Sequence, residues 1–303
     1  MAFAAFGSSA PTTKGQTKSG RVVLALLLPG LLYLALFFVI PLISLVMTSL
    51  EVPDASGKIG KYVPGLDFGN YAYVVGKYLP QIGRSFGYAL VATIIALLIS
   101  YPLAYFIGVK LRNRQMLQRM MVTLVIAPFF ISFLLRTIAW KQLLADHSAI
   151  MEWAHKVGIL AQGQSFIGSD AAVIFGLVYN FIPFMTLPLY TSLERLDIRF
   201  LEAGSDLYAS PARVFRKVTL PLSMPGIISG TLLTFIPIAG DYVNASRDFL
   251  GSSKTSMIGT MVDADFLQTK NYPAASAMSV VLMGLILVLV TWYVRKSGTE
   301  DLL

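Results

Sequence analysis

The chain has 303 residues and a net charge of +8; 55% of its residues are hydrophobic and 13% are charged. Soluble domains carry about 25% charged residues, so this composition excludes a disordered chain, a collagen-like chain and an ordinary soluble enzyme. The chain has no cysteine, which excludes disulfide bonds and thiolate metal sites. These values predict a protein that crosses a lipid bilayer several times.

Six stretches without Asp, Glu, Lys or Arg follow one another along the chain. A transmembrane helix needs about 20 mostly apolar residues, and five of the stretches are long enough by themselves. The third is shorter and reaches that length only when it continues past Arg136 to Trp140. We therefore predict an all-α, multi-pass membrane protein with six transmembrane helices. The stretches are 22–50, 85–109, 120–135, 171–193, 218–240 and 271–294.

The basic residues predict how the chain is oriented. Lys14, Lys18 and Arg21 flank the first stretch, whose apolar run is far longer than the core of a cleaved signal peptide. Cytoplasmic segments of membrane proteins are enriched in Lys and Arg, so we expect both termini in the cytoplasm. In that orientation the cytoplasmic segments carry a net charge of +8 and the external loops a net charge of 0. Membrane topology therefore accounts for the basic excess without nucleic-acid binding.

The cytoplasmic loop 194–217 has a helical pattern. Leu196, Phe200, Ala203 and Leu207 recur at the spacing of one helix face. Ser210-Pro211 then supplies an N-cap residue and a first-turn proline for a second helix. Two short helices with a tight turn would form a rigid protrusion that passes force to a cytoplasmic partner. An amphipathic loop lying on lipid headgroups is the alternative.

The sequence of this loop resembles the EAA loop of ABC importer permeases. That family's pattern is E-A-A-x-x-x-G, nine residues, then I-x-L-P. This chain matches it at Glu202, Ala203, Leu220 and Pro221, and Val218 stands in place of Ile. The resemblance implies the type I ABC importer permease (MetI-like) fold.

Two positions depart from the family pattern. Gly204 replaces the second Ala, and Tyr208 replaces the Gly. Glycine is the residue that adopts positive φ without steric cost. The turn here must therefore use an ordinary conformation or a strained left-handed tyrosine.

The resemblance also implies a domain organisation and a partner. We expect a flexible cytoplasmic tail over 1–20, a first span with an external loop over 21–80, a permease core over 81–295 and a C-terminal cytoplasmic tail over 296–303. Within the core, the coupling loop would cover 194–225 and dock in a groove of a separate ATPase subunit. The coupling residues by this resemblance are Glu202, Ala203, Gly204, Leu207, Tyr208, Ser210, Pro211 and Phe215.

Three further segments are similar to the permeases of spermidine/putrescine importers. They are 133–137 with Trp140, 178–184 with 187–190, and 240–244. This similarity implies half of a polyamine pathway in a bacterial inner membrane, completed by a second permease subunit. Two ATPase subunits would bind ATP and Mg²⁺, and an external binding protein would deliver the cargo. This chain itself would hold no cofactor or metal and catalyse no reaction.

A carboxylate at the end of the fifth stretch is a candidate for contact with the cargo. A charge in the hydrocarbon costs about 2.5–3.5 kcal/mol on insertion scales, so its presence needs a reason. Polyamines are polycations, which carboxylates, polar oxygens and aromatic faces attract. The predicted path residues are Asp241, Tyr242, Asn244, Tyr179, Asn180 and Trp140. The alternative for Asp241 is an interfacial residue that caps a helix end in water.

Two other features of the spans have structural explanations. Arg136 would repel a cation, so we expect it to pair with a carboxylate or to anchor the span at the interface. Gly226 and Gly230 form a small-x-x-x-small pair, which predicts close contact between two helices.

Other functions remain open from the sequence. Related importers carry other small solutes on the same scaffold. A transporter driven by an ion gradient would show an internal repeat and ionisable residues in mid-span. An intramembrane enzyme would need a nucleophile–base pair or a metal site inside a span. The chain shows no obvious repeat, and no histidine lies inside a span.

Overall fold

The computed structural model describes residues 20–158, 160–161 and 163–296. The predicted tails 1–20 and 296–303 lie outside these residues except for one residue each. The α-helices are α1 Gly20–Leu34, α2 Ile40–Thr48, α3 Gly69–Tyr105, α4 Gln115–Ile126, α5 Phe133–Leu143, α6 Ala149–Lys156, α7 Asp170–Glu194, α8 Ile198–Asp206, α9 Pro211–Val214, α10 Leu220–Leu222, α11 Met224–Ala239, α12 Ile258–Leu267 and α13 Tyr272–Lys296. A short hairpin pairs strands β1 Val52–Pro53 and β2 Tyr62–Val63 antiparallel.

Shorter helical segments connect several of these elements. π-helical stretches of five residues occupy Ala35–Val39, Phe106–Lys110 and Phe215–Thr219. A 3₁₀ turn, Ala127–Phe130, follows α4. A π-helical stretch accommodates an extra residue in an otherwise α-helical path.

Four helical segments are long and apolar enough to cross a membrane by themselves. They are Ala25–Thr48, Gly69–Lys110, Asp170–Glu194 and Tyr272–Lys296. Two bent pairs of helices, Gln115–Phe130 with Phe133–Leu143 and Pro211–Leu222 with Met224–Ala239, raise the number to six if each pair counts as one span. The all-α membrane fold predicted from the sequence is confirmed.

The third predicted span is not a continuous helix. The chain bends by 93° between Phe130 and Phe133, so the expectation of one helix from 120 to Trp140 is wrong. Pro128 lies in the 3₁₀ turn before the bend, where a missing N–H and tighter winding weaken the helix. Ile131 then adopts an extended conformation with φ −105° and ψ 134°. Arg136 consequently lies in α5, beyond the bend.

The chain divides into two compact units, one that ends at Met47 and one that begins at Thr48. The first unit contains the first predicted span except for its last three residues, 48–50. The helical segment Ala25–Thr48 includes an 18-residue window with a mean hydropathy of 2.6. A segment this long and this apolar has the character of a transmembrane helix.

The core of the second unit is built from α3, α7 and α11, which pack against one another. Small residues on α3, among them Ala89, Ala92 and Ala96, are fully buried and allow the helices to approach closely. Helices α12 and α13 pack on the N-terminal half of α3. There the Tyr78 hydroxyl donates a 2.8 Å hydrogen bond to the Asp265 carboxylate.

The predicted contact through Gly226 and Gly230 is confirmed. A Cβ atom on Gly226 would lie 2.6 Å from the Cβ of Ser192 and 2.9 Å from the carbonyl oxygen of Pro188. A Cβ atom on Gly230 would lie 2.9 Å from the sulfur of Met185. These distances are too short for any side chain, so α11 lies directly against the backbone of α7.

Candidate functional sites: the 194–222 loop and a buried polar chain

The loop between α7 and α11 contains the two predicted helices. Helix α8 is followed by a turn at residues 207–209 and then by the continuous helical run Pro211–Leu222. Ser210 stands at the N-cap position in an extended conformation, and Pro211 is the first helical residue, as predicted. The run then meets α11 at an angle of 64°.

Gly204 allows α8 to pack against the second helix. A Cβ atom at Gly204 would lie 3.0 Å from the Cγ2 atom of Val214, so an alanine here would require Val214 to move. This contact explains why glycine suits position 204, where the EAA pattern quoted above has alanine. The two short helices are therefore packed on each other through this position.

Tyr208 adopts the left-handed conformation that glycine normally occupies. Its φ is 54°, which decides between the two conformations left open by the sequence. The N–H of Ala209 donates to the carbonyl of Gly204 at 3.2 Å, the bond expected when a left-handed residue ends a helix. A left-handed conformation costs a residue with a Cβ roughly 1–2 kcal/mol. The tyrosine side chain is 97% exposed.

The predicted apolar face of α8 separates into an anchored end and an exposed end. Leu196 is buried, whereas Phe200, Ala203 and Leu207 are exposed. Glu202 is exposed on the same helix. The exposed part is therefore an apolar stripe with a carboxylate beside it.

Phe215 faces the core of the protein. Its half-buried ring meets those of Tyr101 and Tyr105 edge-on, at centroid distances of 5.5 and 6.5 Å. Beside it, the Tyr101 hydroxyl and the Ser223 hydroxyl are hydrogen-bonded at 2.8 Å. Phe215 therefore attaches the loop to α3, while the other predicted coupling residues lie on or near the loop surface.

A second attachment lies at the start of the loop. The carboxylate of Glu194 accepts hydrogen bonds from the Tyr190 hydroxyl at 2.5 Å and from the Gln118 amide at 3.4 Å. Arg112 donates to the carbonyl of Leu196 at 2.7 Å. Sequence reasoning missed these residues, because the pattern of one loop says nothing about its contacts with another.

Three of the predicted path residues lie in one buried polar chain. The Asn180 amide donates to the Thr137 hydroxyl and to the Asn244 side-chain oxygen, both at 3.2 Å. The Asn244 side-chain amide donates to Asp241 at 3.1 Å, and its backbone N–H donates to the same carboxylate at 2.8 Å. The four side chains are at most 6% exposed. This buried polar chain links α5, α7 and the segment after α11. Sequence reasoning missed its fourth member, Thr137.

Asp241 lies two residues beyond the last residue of α11. Burial raises the pKa of its carboxyl to about 6, and the hydrogen bonds from Asn244 oppose that rise. The carboxylate is therefore held by the protein's own amides in this conformation.

The other three predicted path residues lie elsewhere. Tyr242 is about half exposed and lines a cavity of about 730 Å³ that α11, α12 and α13 border. Trp140 and Tyr179 meet edge-on at 5.1 Å and line a cavity of about 520 Å³ beside α3. The structure thus distributes the six residues over the polar chain and two aromatic-lined cavities.

Arg136 is buried beside this region. Its Nε and Nη1 atoms have no hydrogen-bond partner among the described residues, so neither pairs with a carboxylate there, which was one of the two roles expected from the sequence. Its guanidinium carbon lies 5.8 Å from the centroid of the Phe133 ring. Burial of a guanidinium whose nitrogens lack hydrogen-bond partners costs free energy.

Comparison with known proteins identifies the family. Residues 100–296 match the family described as the binding-protein-dependent transport system inner membrane component. The chain belongs to this family. It is 33% identical over 281 residues to the spermidine/putrescine transport system permease protein PotB of Haemophilus influenzae, which covers 92% of this chain and 94% of that protein. It is 34% identical to PotB of Escherichia coli K12, over 86% of this chain and 93% of that protein.

Solved structures show the same fold. A chain of a bacterial ABC transporter involved in the import of the acidic polysaccharide alginate superimposes with a TM-score of 0.67 at 16% identity, over 92% of this chain and 96% of that chain. A chain of the MetNI methionine ABC transporter superimposes with a TM-score of 0.55 at 19% identity, over 73% and 94% of the two chains. The predictions of an ABC importer permease and of its MetI-like fold are confirmed.

Proposed function

We propose that this chain is one of two permease subunits of a bacterial importer that carries polyamines such as spermidine and putrescine. The observation that carries the proposal is the 33–34% identity to spermidine/putrescine permeases over 86–92% of the chain. The aligned region is long enough to include both the buried polar chain and the exposed loop, so the similarity is not limited to one motif. The chain binds and moves its cargo, and it catalyses no reaction.

The arrangement of the complex follows from the charges and the loop. The distribution of basic residues supports an orientation with both termini and the 194–222 loop in the cytoplasm. Two ATPase subunits bind ATP and Mg²⁺ and receive the loops of this chain and of the second permease. A binding protein delivers cargo to the external loops. One of the similar solved structures contains an alginate transporter with a cargo-bound periplasmic protein, which supports this last partner by analogy.

Helix α11 connects the 194–222 loop, which we call the docking loop, to the predicted path residues. At its N-terminal end, Ser223 and the nearby Phe215 attach the loop to Tyr101 of α3. At its C-terminal end, Asp241 begins the polar chain that reaches α7 and α5. Movement of the loop by the ATPase therefore shifts α11, and the polar chain transmits that shift to the helices along the path. ATP binding closes the two loops together and hydrolysis resets them.

Asp241 and the aromatic residues are the proposed cargo contacts. A carboxylate and the faces of Trp140 and Tyr179 attract protonated amines, each cation–π contact contributing about 0.5–2 kcal/mol. Asp241 is buried in this conformation, so its contact with cargo requires the polar chain to open during transport.

Arg136 supports a second candidate, a permease for a different small solute. Its unpaired guanidinium would suit a cargo that carries a carboxylate, whereas it repels a polyamine. Cargo identity therefore has to be measured with both classes of solute.

ATP hydrolysis by the assembled transporter in lipid nanodiscs tests the proposal. We expect spermidine or putrescine, together with the binding protein, to stimulate hydrolysis, and an unrelated amino acid to have no effect. Stimulation by the amino acid alone would replace the polyamine proposal with the second candidate. Failure of any ATPase subunit to bind this chain would favour a transporter driven by an ion gradient.

Reversal of the Glu202 charge tests the docking loop. Because Glu202 is exposed beside the apolar stripe, we expect Glu202→Lys to weaken binding of the ATPase about tenfold. Co-purification and binding measurements on the assembled complex would show this. Glu152→Lys, which reverses an exposed charge on the opposite side of the membrane, is the matched control. If Glu202→Lys bound the ATPase as the wild type does, the assignment of this loop as the ATPase contact would be wrong.

A further inference from the structure

The turn of the docking loop retains a strained residue where a glycine would fold more easily. In the part of the chain that the structure describes, only Tyr208 and Lys270 are non-glycine residues with positive φ. The Tyr208 side chain is almost fully exposed, so contacts within this chain do not offset its strain. Strained residues of this kind persist where the side chain has a use.

The surroundings of Tyr208 indicate the kind of partner that covers it. Leu207, the first residue after α8, is 81% exposed, and Phe200 near the start of α8 is 55% exposed. Adjacent large apolar side chains that are almost fully exposed, as Leu207 and Tyr208 are, are typical of a contact with another macromolecule. Aromatic anchors of this kind dominate the binding energy of protein interfaces.

The charges on the loop favour a protein over a lipid surface. Helix α8 carries Glu202 and Asp206 but one basic residue, Arg199. Helices that lie on membranes are rich in Lys and Arg on their polar face, whereas α8 carries one basic residue and two acidic ones. The other exposed cations of the loop lie outside α8: Arg195 precedes it, and Arg213, Arg216 and Lys217 belong to the second helix, which leads back to the span.

We propose that the Tyr208 ring is an anchor that fits an apolar cleft of the ATPase subunit. Leu207 and Phe200 extend the contact, and basic residues at the rim of that cleft meet Glu202 and Asp206. The left-handed backbone ends α8 abruptly and leaves the ring free of the helix. This inference rests on the proposed function, since it specifies the contact that the docking loop makes.

Substitutions at Tyr208 separate the ring from the backbone conformation. Tyr208→Gly and Tyr208→Asn both suit the left-handed conformation but lack the ring, while Tyr208→Phe keeps the ring. We expect the first two to raise the melting temperature of the isolated permease and to weaken its binding of the ATPase at least tenfold. We expect Tyr208→Phe to bind within about threefold of wild type. Lys270→Gly relieves the same strain at another site and should raise the melting temperature without changing ATPase binding.

Four outcomes are distinguishable in this experiment. Stabilised Tyr208→Gly and Tyr208→Asn with weakened ATPase binding in uncharged detergent would support the anchor. Unchanged binding in both variants would overturn it. A defect that appears only in nanodiscs with anionic lipid would overturn it in favour of a lipid contact. If the wild-type chain binds no ATPase, the proposed function fails, and that failure precedes any comparison of variants.

Discussion

The two ends of α11 are held by different kinds of contact. At the N-terminal end, aromatic rings and one hydroxyl pair join the loop to α3, and much of the loop surface is exposed. At the C-terminal end, three amide and carboxylate side chains and one hydroxyl form a buried chain with defined donors and acceptors. Aromatic contacts tolerate small shifts in geometry, whereas buried hydrogen bonds weaken steeply when misaligned. The difference suggests that the loop end adjusts to a partner while the other end reports a change of state.

The largest expected effect comes from separating α11 from α7, since that packing connects the two ends. Gly226→Val places side-chain atoms where Ser192 and the Pro188 carbonyl already lie. We expect a loss of stability of about 1–3 kcal/mol or more from overpacking, visible as a lower melting temperature in detergent. Gly83→Val, on α3, has no atom within 4 Å of its Cβ position and is the matched control. Equal melting temperatures for the two variants would contradict the close packing of α11.

The next largest effect is expected at the centre of the polar chain. Asn180→Ala removes the donor that Thr137 and Asn244 share, and leaves both buried without that partner. We expect a loss of about 1–3 kcal/mol in unfolding free energy. Chemical or thermal unfolding measures it, with the exposed Asn113→Ala as control. If both variants unfold alike, the buried polar chain does not hold the C-terminal end of α11.

Neutralising Asp241 separates stability from transport. Asp241→Asn keeps the size of the side chain and an acceptor for the Asn244 N–H, so we expect a stability change of about 1 kcal/mol. Polyamine uptake should fall about tenfold, because the amide attracts a protonated amine far less than the carboxylate does. Radiolabelled uptake into proteoliposomes measures it. Asp248→Asn, an exposed residue of the same external segment, should transport normally. Normal uptake by Asp241→Asn would end the proposed cargo contact.

The smallest effect is expected at the N-terminal end of α11. Tyr101→Phe keeps the ring against Phe215 and removes only the hydrogen bond to Ser223. We expect a loss of about 0.5–1.5 kcal/mol, with ATPase coupling largely preserved. Tyr105→Phe is the control, because its ring meets the same Phe215 ring. A larger loss for Tyr101→Phe than for Asn180→Ala would reverse the comparison between the two ends.

Local sequence features were sufficient to predict most of the helices. Long stretches without charges located the spans, and Ser210-Pro211 located the start of the second loop helix, because capping and hydropathy act over a few residues. The contact at Gly226 and Gly230 was predictable for the same reason, since small residues at this spacing leave room for a neighbouring helix. The family resemblance in the loop added the fold.

Contacts between distant segments were not predictable in the same way. Asn180 lies 43 residues from Thr137 and 64 residues from Asn244, and no local pattern pairs them. The bend near Ile131 has no glycine or proline at the break itself, and Pro128 three residues earlier was the only signal. Asp241 and Tyr242 are neighbours in sequence, but Asp241 is buried in the polar chain whereas Tyr242 lines a cavity. Their adjacency did not predict this difference in side-chain direction.

The π-helical stretch Phe215–Thr219 determines the direction in which the docking loop faces around the helix axis. Each residue of an α-helix turns the chain by about 100°, so the extra residue in a π-turn offsets the faces before and after it by that amount. Removing one residue from this stretch would restore regular winding and would point Tyr208 and Glu202 about a quarter turn away. Insertions and deletions here thus alter the direction in which the loop faces, while substitutions alter only what it presents.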